Sequence, residues 1–218
     1  MEKFRGIRLL IVAAVALMAA GQVLAVPSIY NTGVDDTGTA LPNGAIDTHW
    51  ALTGPGGPAA VATIRHPAWV AEPAGSMWIA PEEYPANVTA PIATWTYSTT
   101  FELADLTGTN VTLSGSWASD NASQILLNGN PTGFSRLYEF AYTSLEDFVI
   151  TSGFQAGTNT LSFMVENYVS PTGGLNPTGL LVANLLVTQT PVVPVPGAIV
   201  LASLGTCVIG YIRRRGIL

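Results

Sequence analysis

The 218-residue chain carries 8 Lys and Arg against 14 Asp and Glu, a formal net charge of -6, and those charges are unevenly placed. Between residues 26 and 190 the only basic side chains are Arg65 and Arg136, set against Asp35, Asp36, Asp47, Glu72, Glu82, Glu83, Glu102, Asp105, Asp120, Glu139, Glu146, Asp147 and Glu166. Such a body excludes nucleic acid as a partner, because binding a polyanion needs Lys and Arg to displace counterions. With Cys207 as the only cysteine, it also excludes a disulfide, a cysteine metal site and a thiol nucleophile there.

Residues 1–25 open with the basic Lys3, Arg5 and Arg8, continue as an apolar run from Leu9 to Ala20, and end Gly21-Gln22-Val23-Leu24-Ala25. This order predicts a helical secretion signal, handled by the Sec translocon and cut by signal peptidase after Ala25. The apolar run is shorter than the ~20 residues of an ordinary membrane span.

Residues 26–93 are rich in Gly, Pro, Asn and Thr, which penalise helix. Strands are expected over 47–53 and near 61–64, separated by long loops. From residue 94 the pattern changes. Trp95, Tyr97, Thr99 and Phe101 alternate with Thr96, Ser98 and Thr100, the period of a strand with one buried face. Val111, Leu113, Gly115 and Trp117 repeat it. A short run over 124–127 ends in Asn128-Gly129, a strong hairpin-turn pair. Further strands are expected over 147–150, 160–167 and 179–187, with a turn at 154–159. Short strands at about 8–12-residue spacing predict one all-β domain over 26–190, an antiparallel β-sandwich. Trp95 and Trp117 share faces with other apolar residues and read as core.

Residues 191–218 form a third region. Pro194-Val195-Pro196-Gly197 precedes an uncharged stretch over 197–212, and Arg213-Arg214-Arg215 follows it. As a helix, 197–212 rises roughly 24 Å, enough for a thin transmembrane span. The prolines mark its outer boundary, and the arginines hold their flank in the cytoplasm, so the body lies outside.

The candidate chemistry of the body is sparse. There is no Gly-x-Ser-x-Gly elbow, phosphate loop, dinucleotide fingerprint or zinc-helix motif. His49 reads as structural within a strand, and His66, before Pro67, as a loop residue. Glu82 and Glu83 are neighbours, which a strand would point to opposite faces, and read as solvated. Aromatic faces could stack on sugar rings. Trp69 and Tyr84 lie in Pro-rich loop sequence and are the aromatics most open to exposure, with Trp78 between that and packing. Asp120 and Asn121 fall between two strands, where sandwich loops hold ligands. For each of these five the alternative is loop packing or turn formation.

Two resemblances add to this reading. The tail resembles the PEP-CTERM sorting signal in its Val-Pro-x-Pro-Gly-Ala form, through Val193 to Ala198, Leu201, Leu204-Gly205, Ile209-Gly210 and the three arginines, with Val195 in place of the usual Glu. It implies recognition and cleavage by a membrane-embedded exosortase-type protease. The implied route is export, transient anchoring in the inner membrane, then the cell surface or extracellular matrix. The body, over about residues 44–188, resembles galactose-binding-domain-like jelly rolls. The matching pieces include Asp47-Thr48-His49-Trp50, Met77-Trp78-Ile79-Ala80-Pro81, Gly115-Ser116-Trp117-Ala118-Ser119-Asp120-Asn121 and Pro177-Thr178-Gly179-Leu180. That implies a jelly roll with a habit of carbohydrate binding, extracellular polysaccharide as a partner, and a structural calcium among Asp35, Asp36, Asp47 and Glu166, for which solvated acids are the alternative. The expected function is a non-catalytic, exported surface or matrix protein with carbohydrate contact. A purely structural envelope protein and a secreted hydrolase are the alternatives.

Overall fold

In the computed structural model of the chain, residues 27–57, 59–83, 89–169 and 176–192 are described, with the single positions 205 and 214. The expected signal with Ala25, the tail residues Pro194, Val195, Pro196, Gly197, Arg213 and Arg215, and Tyr84 lie outside the described residues. Arg214 is described and exposed. No helix among the described residues is long and apolar enough to cross a membrane; the expected span over 197–212 lies, apart from Gly205, outside them.

The strands are β1 (Ala51–Thr53), β2 (Val61–Ala62), β3 (Ile79–Ala80), β4 (Thr94–Leu103), β5 (Thr109–Asp120), β6 (Ala122–Leu127), β7 (Asn130–Arg136), β8 (Glu146–Ile150), β9 (Gly157–Glu166) and β10 (Gly179–Pro191), with a 3-10 turn at Ala141–Thr143. They form two five-stranded sheets, in the orders β1-β4-β9-β6-β7 and β2-β3-β10-β5-β8. The pairs β1–β4, β4–β9, β6–β9, β6–β7 and β5–β8 are antiparallel.

The alternation read from the sequence sets the core. β4 buries Trp95, Tyr97, Phe101 and Leu103, and β9 buries Leu161, Phe163 and Val165 from the register positions beside them. Val111, Leu113 and Trp117 of β5 and Leu180 and Val182 of β10 meet them from the other sheet. Burying a side chain such as Phe148, Phe163, Leu113 or Ile125 completely contributes about 1.5–3 kcal/mol each. The upper end of β5 is buried on both faces. Trp117 points into the main core, while Ala118 joins Trp69, Trp78 and Leu181 in a second cluster. The long connection between β2 and β3 supplies Trp69 and Trp78, so it folds over the outer face of its own sheet.

Asn128 and Gly129 close a two-residue turn between Leu127 and Asn130, with φ of 52° and 78°, as a type I′ hairpin requires. The Asn128 side chain accepts from Thr160 N at 2.9 Å and donates to Gly153 O at 3.0 Å, tying the hairpin to the loop before β9.

Three expectations change. β7 is an added strand: its Pro131 and Gly133 argue against a central strand, but β7 is an edge, where a missing N–H costs no ladder bond. β3 is also added, two residues long. The first strand begins at Ala51 rather than at 47, so His49 lies in a turn. There Asp47 Oδ1 accepts from His49 N at 2.9 Å, a local bond that competes with strand pairing.

Candidate functional site

The junction of β5 and β6 brings a strongly perturbed carboxyl to one end of the sandwich. Asp120 is buried, and its Oδ2 accepts from Trp69 Nε1 at 2.7 Å. Its backbone carbonyl accepts from Thr178 Oγ1 at 2.7 Å. Burial pushes its carboxyl up to about 7; the Trp69 N–H opposes that rise and the charge of Glu139 adds to it. Tyr97, fully buried beneath, is raised by burial and by the charge of Asp120.

Asn121 follows and binds two separate segments. Its backbone N–H donates to Glu166 O at 3.2 Å, and its Oδ1 accepts from Tyr168 N at 2.8 Å, both at the end of β9. Its Nδ2 donates to Glu139 O at 3.1 Å, in the segment after β7. The residue is 8% exposed, so its amide acts as a linchpin and offers no free edge to a ligand.

Arg136, 2% exposed at the end of β7, fastens the same segment from below. Its guanidinium donates to Trp117 O at 3.2 Å, to Ser144 O, to Ser144 Oγ at 3.0 Å and to Tyr138 Oη. Its Nε faces Glu146 Oε2 at 3.4 Å, a charge contact without hydrogen-bond geometry. Its charge is thereby spent inside the fold.

These buried anchors hold out an apolar, aromatic rim. Leu137 is 73% exposed, Val169 66%, Phe140 54% and Tyr138 44%. Tyr142 and Tyr168 are half-buried, and the Phe140 and Tyr142 rings meet edge to face at 6.0 Å. Burial raises the Tyr142 hydroxyl, with the charges of Asp120 and Glu139 adding; burial raises that of Tyr168, with the charge of Glu166 and a hydrogen bond to it adding. Beside the rim is a cleft of about 210 Å³ lined by Ala122, Ser123, Gln124, Leu137, Met164 and Glu166. Gln124 Nε2 meets only the thioether of Met164 there, at 3.5 Å, a weak acceptor that a hydroxyl could replace. The corner thus offers aromatic faces, apolar floor, an amide and carboxylates, with the backbone beneath them fixed.

Of the five sugar-contact candidates, the structure brings Trp69, Trp78, Asp120 and Asn121 to this end of the sandwich but buries all four. Trp69 takes the loop-packing alternative. Its ring is 4.3 Å from that of Trp78, whose Nε1 donates to Val70 O at 3.0 Å, because the β2–β3 connection needs apolar weight to cover Ala118 and Leu181. Asp120 and Asn121 sit in no open loop, since one residue alone separates β5 from β6.

The four calcium candidates are placed as follows. Among the described residues no group of three or more His, Cys, Asp or Glu side chains stands together. Asp47 Oδ2 accepts from Gly33 N at 2.7 Å, Asp35 Oδ1 accepts from Thr37 and Thr39, Asp36 Oδ1 lies 3.3 Å from His49 Nε2, and Glu166 belongs to the rim. His49 stacks on Tyr30 at 3.7 Å, and His66 Nδ1 accepts from Ala68 N at 3.2 Å.

The rim residues Leu137, Tyr138, Phe140, Tyr142 and Tyr168 were not separable in the sequence from packing aromatics. The one available signal was Arg136, a rare cation in an acidic body directly before an aromatic-rich segment.

No protein-family model matches the chain, nor does the sequence of any curated protein. Solved structures with a similar outline include TmCBM61 in complex with β-1,4-galactotriose, at 11% identity and a TM-score of 0.40, covering 65% of this chain and 89% of that one. CBM35 from Paenibacillus barcinonensis has 14% identity and a TM-score of 0.35, covering 65% and 93%. A mutant of CBM29-2, a family 29 carbohydrate-binding module, complexed with cellulohexaose has 14% identity and a TM-score of 0.34, covering 78% and 94%. At these values the likeness is one of general sandwich shape and goes no further.

Proposed function

We propose that the chain is an exported, non-catalytic surface or matrix protein whose sandwich holds a glycan at the Asn121 corner. The observation that carries this is the exposed rim of Tyr138, Phe140 and Leu137 beside the Gln124–Glu166 cleft. Contiguous exposed apolar surface with a polar border marks an interaction site. Tyrosine is suited to sugars, having a flat apolar face for ring C–H groups and a hydroxyl at the edge.

Export and sorting form the second part of the proposal. The order of basic, apolar and small residues over 1–25 supports secretion. The Pro-flanked, Arg-terminated tail supports transient anchoring and exosortase-type processing near Pro194-Val195-Pro196. A mature protein that begins at Val26 and lacks Arg213, Arg214 and Arg215 is expected by mass spectrometry of the envelope fraction. An intact chain in the cytosol contradicts it.

Glycan binding is tested by screening the purified protein against an array of neutral, acidic and amino oligosaccharides. Binding that falls on Leu137→Ala and Tyr168→Ala, with the melting temperature preserved, supports the reading. Background signal on every glycan overturns it.

A further inference from the structure

We infer that the corner cleft is part of a longer track, and that its ligand is a neutral polysaccharide chain laid across the outer face of the β1-β4-β9-β6-β7 sheet. The inference rests on the glycan-binding reading and adds to it the length and charge of the ligand.

The strand registers place the track. Gln124 and Met164, both in the cleft, are partners across β6 and β9. Met164 is partnered in turn with Thr96 of β4, and Thr96 with Thr53 of β1. On the other side Gln124 is partnered with Ser135 of β7. Each of these residues alternates along its strand with buried or partly buried neighbours, so all face outward. At a strand spacing of about 4.8 Å the row spans roughly 19 Å, a distance that takes several sugar rings in line. In the adjoining row the hydroxyls of Ser98 and Ser162 lie 2.8 Å apart. Such a pair keeps one proton and further lone pairs for a ligand.

The two sheets differ in cover. The β2–β3 connection buries Ala118 and Leu181 of the other sheet under Trp69 and Trp78. On this sheet Gln124, Met164 and Thr96 are half-buried, and Thr53 and Ser135 are exposed.

The row is polar and carries no charge. Its hydroxyls and amide both donate and accept, and the Met164 thioether gives an apolar floor. Glu166 and Glu102 stand near opposite ends of the sheet, at the registers of Thr94 and Thr158, off the row. The two arginines of the body are committed elsewhere: Arg136 is buried, and Arg65 donates to Trp69 O at 2.6 Å and pairs with Glu72 at 3.4 Å. An anionic chain therefore finds no cation along the track, while a neutral, hydroxyl-rich chain finds partners from strand to strand.

The test is calorimetric titration of the full-length chain with β-1,4-linked dimers and hexamers of glucose, galactose and mannose, and with a galacturonate hexamer. At least one neutral hexamer is expected to bind about tenfold more tightly than its dimer. Thr53→Val and Thr96→Val each remove a hydroxyl at nearly constant volume. Each should weaken the hexamer about threefold and leave the dimer unchanged. That loss is decisive, because a long chain on a short site also gains from its greater number of registers. Amide shifts of the unaltered protein read the same track: the hexamer should add changes at Thr53 and Thr96, smaller than those at the corner, which the dimer does not produce. Affinity independent of length, a length gain that both variants leave intact with no shift at Thr53 or Thr96, or tightest binding of the galacturonate overturns the inference while the glycan-binding reading stands. Binding of none of these probes overturns it too, and with a silent array the glycan-binding reading falls as well.

Discussion

Trp69 and Asp120 lie 51 positions apart in the chain and share a buried hydrogen bond of 2.7 Å, from the indole N–H to Oδ2. Each, taken singly, has the character of a sugar-binding residue. Together they form an internal strut that attaches the β2–β3 connection to the end of β5, one residue before the linchpin Asn121.

Removing the donor tests that strut. Trp69→Phe keeps an aromatic ring against Trp78 and leaves Asp120 without its partner. A buried polar group so orphaned costs about 1–3 kcal/mol. The variant is expected to unfold at lower denaturant concentration by that amount, and glycan affinity should be unchanged because the indole is buried.

Asp120 also makes stability depend on pH. Its folded value, about 7, lies above the ordinary 3.8 of an exposed carboxyl. The protonated carboxyl is therefore favoured by the fold, and its contribution is complete below about pH 4 and lost as pH rises through about 7. Equilibrium denaturation should show stability falling by a few kcal/mol, in order of magnitude, between about pH 5 and about pH 8. Asp120→Asn keeps a carbonyl acceptor for Trp69 and removes the charge, so it should flatten most of that slope. Asp47, also raised by burial, leaves a smaller residual slope of the same sign.

Asn121 and Tyr168 separate anchoring from contact. Asn121→Ala removes both amide bonds, to Glu139 O and from Tyr168 N, and is expected to cost about 2 kcal/mol of stability. It should also weaken glycan binding, by freeing the two segments that carry the rim. Tyr168→Ala, on a half-buried side chain, is expected to weaken binding with a much smaller effect on unfolding.

The hairpin between β6 and β7 gives a control remote from the corner. Gly129 has φ of +78° and open space where a Cβ would stand. Gly129→Ala therefore meets backbone strain alone, about 1 kcal/mol, and should leave glycan affinity untouched. A loss much larger than this in thermal unfolding contradicts the turn assignment.

Much of the sandwich was legible because single residues settle local geometry. The alternation through Trp95, Tyr97 and Phe101 determines which face of β4 is buried, and Asn128-Gly129 leaves only one comfortable hairpin turn. β7 was hidden because Pro131 and Gly133 are strand breakers everywhere except at an edge, and edge position is a property of the assembled sheet. The corner was legible by region and not by residue. Asp120 and Asn121 mark it in the sequence, yet their roles depend on partners far away in the chain. Trp69, lying among prolines, was open to exposure or to loop packing, and the structure takes the second because a long connection with two tryptophans can cover a sheet. Conversely, Tyr138 and Phe140 have the apolar character of core residues yet stand at the surface, Tyr138 with the buried Arg136 guanidinium under its ring.

The most direct measurement is a titration of the isotope-labelled protein with the tightest-binding oligosaccharide of the array, followed by amide shifts. The glycan-binding account predicts that the largest changes fall on Gln124, Leu137, Tyr138, Glu166 and Tyr168. Changes centred instead on the opposite end of the sandwich, at Thr109, Asn110 and Ser152, where a cleft of about 450 Å³ lies, would contradict it.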